Sequence, residues 1–446
     1  MQSVRNLILG AGLAGLSAAC ALREREDETL VLEKEDEAGG LCRSRQVDGF
    51  TFDCTGHLLH LRDRETREWL LDLLPKSFAA VERKSLIYSH GVYTGYPFQA
   101  NTYGLPPEVI RECVVGFVEA LMRRQAGGDA SPADFRAWAL ATFGEGIARH
   151  FMFPYNEKLY RVDLREMECG WVSWSIPTPT LDEVVRGALG IEVKGLGYNP
   201  QFLYPRRGGI AAIPNALAQR CGGLRLGSAV RSIDLAGRCA HLVSGERIAY
   251  EKLISTMPLD ALLGMLDPLP EPSLKKARGR LRAVKVVNLN LGIDRAGVLP
   301  GHWVYFPDAS FPFYRVGSPT NYSEGVAPRG CSSLYIEVAQ RRNETLDAPR
   351  LEEECLEGLR RAGILRSGDR IVAREMLTLD PAYVVYDHFR KDALPAIHRI
   401  LERYGVISTG RFGAWEYGSM ESAMKQGREA ALRVQDEGRR AAGGSR

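Results

Sequence analysis

Three glycines, Gly10, Gly12 and Gly15, fall in the stretch "LILGAGLAGLSAACAL" with the spacing G-x-G-x-x-G. Each place in that spacing has its own chemistry. The first glycine permits a tight turn, the second lets a pyrophosphate approach the backbone, and the third lets a helix pack closely on a strand. Further on, Glu33 closes "TLVLEK", about where an acid binds the hydroxyl pair of a ribose. Glycines in a loop are more often plain turn residues, so the elements around them decide. "RNLILGAG" reads as a short apolar strand and "LAGLSAACALRERE" as a helix with apolar residues at helical spacing. The helix start would offer unpaired N–H groups and a positive dipole end to phosphates. Strand, turn, helix and acid together predict a dinucleotide site.

The remaining chain must supply the rest of the enzyme, and its composition narrows what that can be. At 446 residues it is too long for one ordinary core, so two or three domains are expected. With 45% hydrophobic and 25% charged residues and a formal charge of +3, it reads as a globular protein near charge balance. The basic residues are scattered, which argues against nucleic acid. Nine cysteines form no CxxC pair and read as reduced core thiols of a cytoplasmic protein, with neither a disulfide framework nor a metal site. The apolar start is broken by glycines and followed by "REREDE", unlike a signal peptide. No apolar run is long enough to span a bilayer.

A second glycine pair, Gly39 and Gly40, follows the acidic strand end in "EKEDEAGGLCRS", and an apolar hairpin-like segment, "GFTFDCTGHLLHL", comes next. In these segments the chain resembles the flavoprotein group of amine oxidases, protoporphyrinogen oxidases and UDP-galactopyranose mutases. The resemblance implies FAD as cofactor, with Gly39, Gly40, Arg43 and Ser44 passing beside its diphosphate and ribityl chain. It also implies that the backbone near Val230 in "LRLGSAVRSIDL" meets the adenine. Gly410 and Arg411 would close over the FAD, and the helix start around Met420 would face the flavin N1/O2 edge. The fold class implied is α/β: a Rossmann-type FAD-binding domain assembled discontinuously from residues 1–75, 200–265 and 395–440. Residues 76–102 and 266–394 would form an antiparallel substrate-side sheet, with strands in "KVVNLNLGI", "HWVYFPD", "SSLYIEVAQ" and "RIVAREML". Residues 103–199 would be a helical subdomain, interrupted by the loop "RQAGGDASPAD". The final "EGRRAAGGSR", and residues 441–446 in particular, would fray as a tail.

A narrower resemblance covers most of the chain. "GYPFQANTYGLPPE", "RHFMFPYNEKLYRV", "HWVYFPDASFPFYRVGSPTNYSE" and "GRFGAWEYG" are similar, in order, to segments of eukaryotic-type UDP-galactopyranose mutases. This implies a uridine pocket of Tyr96, Gln99, Phe151 and Asn156, with Tyr160 where the family carries a tryptophan. Tyr305, Tyr383 and Tyr417 would bound a diphosphate, Arg315 would pair with it, and His57 would lie beside the isoalloxazine. A pyrophosphate suits a planar cationic fork with hydroxyl donors, and a base suits an aromatic face. Taken singly, each tyrosine reads equally as core and each arginine as a surface charge. The family's second diphosphate arginine corresponds here to Ser175, and Arg206 or Arg207 of "YPRRGG" is the substitute the sequence offers. The expected reaction is the interconversion of ring forms of a nucleotide-linked sugar through N5 of reduced flavin, with no net redox change. The source of reduction, NADPH or a reductase, stays open. The alternative is an FAD-dependent oxidase or desaturase of the amine oxidase or protoporphyrinogen oxidase type.

Overall fold

The computed structural model of the chain describes residues 2–23, 28–127, 132–172, 176–192 and 201–443. Two seven-stranded sheets face each other across a long cavity, each built from segments distant in sequence. In the first, Gln2–Leu9 is central, with Thr29–Leu32 and Arg247–Ser255 parallel on either side. Val406–Ser408 joins the far side of Arg247–Ser255, also parallel. Strands buried on both faces are expected to be near-continuously apolar, and Leu7, Ile8, Leu9, Leu253 and Ile254 are all buried. The helix Leu13–Arg23 lies directly behind the first strand and packs against Met420–Gly443. That last helix runs through Gly443, so most of the stretch expected to fray is helical.

The second sheet is mixed but largely antiparallel, in the order Ile371–Val384, Ala283–Ile293, Ser332–Arg341, Arg315–Gly317, Trp303–Tyr305, Ser85–Ser89, Val92–Gly95. Its alternation sorts two faces. Leu334, Ile336 and Val338 point outward, with Val287, Leu289 and Leu291, onto Leu351, Cys355 and Leu359 of the helix Ala348–Arg361. The opposite face carries Tyr335 and Glu337 toward the cavity side. Tyr305, Arg315 and Glu337 are successive cross-strand partners, so strand register alone brings them into one row. Tyr335 fits because Gly317 and Gly56 lie against its ring: a Cβ on either would come within 2.4 Å of it.

The third layer is helical, with Pro107–Gln125, Phe135–Ile147 and Phe153–Tyr160. Part of the expected loop "RQAGGDASPAD" and the position Ser175 lie outside the described residues. The nine cysteines are free thiols. Among the described residues no helix is long and apolar enough to cross a membrane, and no cluster of side chains has the arrangement of a metal site.

Candidate active site

The cavity between the sheets, about 1310 Å³, begins at the glycine turn. Gly10 holds φ +98°, and a Cβ on Gly15 would stand 1.9 Å from the Gly10 carbonyl oxygen, so both are required by the turn itself. Gly12 differs: a Cβ there would meet no protein atom within 4 Å, because it would point into the cavity. That open face, ahead of the Leu13–Arg23 helix start, is the shape a pyrophosphate requires. The buried Glu33 carboxylate braces the turn, accepting from the Ala11 amide at 2.8 Å and the Glu35 amide at 3.1 Å, and it also lines the cavity. Gly39 bridges to Gly12, while Arg43 donates to the Gly40 carbonyl at 2.8 Å and pairs with Glu37. Val230, Gly410, Arg411 and Met420 line the same tract. Ser44 does not. Its hydroxyl donates to Asp53 at 2.6 Å and accepts from the Ala211 amide at 3.0 Å. Asp53 requires these donors because burial pushes its carboxyl up to about 6, against the hydrogen bonds from Ser44, Tyr204 and the Ile210 amide.

Beyond the turn, the cavity is lined by Tyr305, Tyr314, Arg315, Glu337, Tyr383, Tyr417 and Arg411, and by His57, His60, Arg83 and Trp303. Tyr383 and Tyr417 stack at 5.9 Å between centroids, and the Arg411 guanidinium lies 4.6 Å from the Tyr417 ring. Among the described residues Arg411 donates to main-chain carbonyls alone, of Ala382 at 2.8 Å and Gly418 at 3.1 Å, and its Nε is buried without a hydrogen bond. The Tyr314 hydroxyl and Trp303 Nε1 are also buried without a hydrogen bond among the described residues.

His57 Nδ1 lies 3.1 Å from the Thr55 carbonyl, which can only accept, so Nδ1 carries the proton and Nε2 a lone pair. Burial pushes the imidazole down to about 4, and it is neutral at neutral pH. Arg315 is committed: its Nε and Nη2 both donate to the Glu337 carboxylate, the second at 2.7 Å, and the Thr55 hydroxyl donates to the same acid. Glu337 is 1% exposed. Burial opposes the charge on Arg315, yet the adjacent Glu337 holds its proton more firmly than usual.

The expected uridine pocket is arranged differently. Tyr96 packs behind Tyr305 at 5.2 Å, and Gln99 donates to the Pro177 carbonyl at 2.6 Å. Phe151 stacks between Phe98 and Tyr155, Asn156 donates to the Met152 carbonyl at 2.7 Å, and Tyr160 is buried against Trp171. None of the five lines the cavity; they form the wall behind it. Arg206 and Arg207 are exposed and outside it as well. Arg83 does line the cavity, its guanidinium 4.4 Å from the Tyr96 ring and 5.0 Å from Trp303. Arg83 stands just outside any recognisable motif. Glu337 did carry a signal, as a lone acid in the apolar strand "SSLYIEVAQ".

Comparison with known proteins agrees with this geometry. Residues 13–435 match the family described as flavin containing amine oxidoreductase. The crystal structure of a reduced UDP-galactopyranose mutase superposes with a TM-score of 0.91 at 28% identity, covering 97% of this chain and 96% of that one. A zeta-carotene-forming phytoene desaturase of Myxococcus xanthus is 44% identical over 392 residues, 76% of this chain and 72% of the desaturase. Two other curated relatives match locally, the chain spanning 51% and 8% of their own lengths.

Proposed function

The chain belongs to the flavin containing amine oxidoreductase family and takes FAD, and on that premise we propose that it rearranges the ring of a nucleotide-linked sugar, with no net oxidation. One observation carries the reading: the tyrosine and arginine wall shares a single cavity with the glycine cradle, in a fold superposing on the reduced mutase at 28% identity. Reduced FAD, when bound, supplies a nucleophilic ring nitrogen and leaves the reaction unchanged.

The protein's own work is binding and orientation. The open face at Gly12 and the helix behind it hold the cofactor diphosphate, and Glu33 holds the turn and the ribose. His57 presents a neutral acceptor nitrogen to the cavity. Tyr305, Tyr383 and Tyr417 are hydroxyl donors for the substrate diphosphate. Burial raises the phenol of Tyr383, so it stays protonated and able to donate. Arg83, Arg315 and Arg411 supply positive charge, that of Arg315 tempered by Glu337.

A second reading is supported by the desaturase similarity and by the neutralised Arg315: an oxidase or desaturase acting on an uncharged substrate. One experiment separates the two. Protein reduced by dithionite under anaerobic conditions is incubated with UDP- and dTDP-sugars, and products are resolved by chromatography. A ring isomer formed without consumption of reductant is the expected result. Every nucleotide sugar returned unchanged, together with oxygen consumption when the oxidised protein is given an uncharged polyene in air, selects the second reading.

A further inference from the structure

The segment joining Trp303–Tyr305 to Arg315–Gly317 carries two cavity residues at its base, Tyr305 and Arg315, which are cross-strand partners. Its ends are closed by the Phe306 amide donating to the Tyr314 carbonyl at 2.9 Å. Its middle is held from outside the sheet. Lys158, on the helix Phe153–Tyr160, donates through Nζ to the carbonyls of Phe306 at 2.8 Å, Phe313 at 3.3 Å and Asp308. Those three carbonyls come from both arms of the turn. The same helix sets Tyr155 against Tyr305 at 5.6 Å and against Tyr314 at 6.3 Å.

We propose that Lys158 is a positioning residue for the candidate active site, its ammonium clamping the 306–314 turn so that Tyr305 and Arg315 hold their places in the cavity wall. The substrate role of those two residues rests on the reading above; the clamp does not. The chemistry makes the clamp sensitive to protonation. An ammonium has three N–H donors, one for each carbonyl, whereas a neutral amine has two and would turn its lone pair toward the third. Burial pushes Lys158 down to about 7, and only the nearby Asp308 charge works the other way. Asp308 in turn faces His90, whose own basicity is lowered by burial and by His150. The turn is therefore tied at three points below about pH 7 and at two above it. Global stability moves differently: the folded chain sheds this proton near pH 7 while the unfolded chain keeps it to the usual lysine range, so rising pH does not destabilise the fold through Lys158. A local readout is required.

The experiment is hydrogen–deuterium exchange of the FAD-loaded full chain at pH 6.0, 7.0 and 8.5, with intrinsic exchange rates divided out. In wild type, amides of residues 306–314 are expected to lose about fivefold protection between pH 6.0 and 8.5, the effect of one lost hydrogen bond. Lys158→Arg, charged throughout, should stay protected at every pH, and Lys158→Met should be unprotected at every pH. Wild-type protection that does not change with pH, or that changes equally in Lys158→Arg, overturns the proposal. If Lys158→Met does not fold, wild type and Lys158→Arg still decide. A failure of wild type to bind UDP would count against the nucleotide-sugar reading and leave this result standing.

Discussion

The substitution Glu337→Gln isolates the feature that most separates this cavity from a simple cationic anion site. Glu337 is 1% exposed and takes two hydrogen bonds from Arg315 and one from Thr55. Glutamine keeps the shape and one acceptor oxygen but sets an amide N–H against the guanidinium. Arg315 is then a cation in a protein wall without its counter-charge, and removing one partner of a buried pair costs about 3–5 kcal/mol. At about 2–4 °C per kcal/mol for large domains, the melting temperature should fall by roughly 10 °C. Ligand binding should move the other way. For a phosphate at Arg315 taken as about 7 Å from the Glu337 carboxylate, the variant removes a like-charge repulsion. With an effective dielectric constant near 20, that repulsion is about 2 kcal/mol, roughly thirtyfold in affinity. The assay is thermal melting of both FAD-loaded proteins with UDP and with uridine. UDP should stabilise Glu337→Gln more than wild type, and uridine should affect both alike. Equal UDP shifts in the two proteins would mean that the anion does not pass Arg315, and equal melting temperatures without ligand would mean that the ion pair does not support the fold.

The glycine turn gives a paired test. Gly12→Val should leave the far-UV circular dichroism intact yet abolish the flavin absorbance, because its side chain fills only the cavity, whereas Gly15→Val should lose the fold through collision with the Gly10 carbonyl. Burial pushes both His57 and His60 down to about 4, so between pH 6.5 and 4 the unfolded chain takes protons that the folded chain refuses. The stability of the fold, complete above pH 6.5 in this respect, should be lost as pH falls to 4, and His57→Gln should flatten part of that melting curve. Arg83→Met keeps the stacking stem between Tyr96 and Trp303 but removes the charge, and calorimetry should show UDP binding weakened about tenfold with uridine binding unchanged.

The cofactor half of this site could be read from the sequence because its constraints are local. Gly10, Gly12 and Gly15 lie within one turn, Glu33 ends the adjacent strand, and both obey spacing rules set by backbone geometry. The placement of Tyr305, Tyr383 and Tyr417 along one wall followed from segment-level resemblance. What the sequence did not reveal is set by contacts between distant segments. Glu337 meets Arg315 only through strand register, 22 residues apart. Arg83 reaches the cavity through a parallel pairing of Ser85–Ser89 with Trp303–Tyr305, 218 residues away at Trp303↔Ser85. Phe151 and Asn156 carry the right residue types in the right order, yet helix packing turns one toward Phe98 and the other back onto its own helix.

The charge balance of the wall bears on what the cavity can hold. Arg315 and Glu337 together are neutral, so the row across the sheet offers hydrogen bonds more than net attraction. Arg411 is different, since its described partners are carbonyls and its Nε is left unbonded. A guanidinium held by dipoles, beside two stacked tyrosines, keeps its charge available to an anion. It lies on the same segment as Gly410 at the cofactor tract, so on the proposed reading one cation would serve the boundary between cofactor and substrate. A dianionic ligand can then be neutralised by cations that Glu337 does not hold, Arg83 and Arg411, or by drawing Arg315 from Glu337. The second leaves a buried carboxylate uncompensated unless it takes up a proton, so binding by that route would be accompanied by proton uptake. Calorimetry of UDP binding in two buffers of different ionisation enthalpy measures that proton directly. Uptake of about one proton in wild type that vanishes in Glu337→Gln is the outcome for the Arg315 route; equal heats in both buffers assign the anion to Arg83 and Arg411.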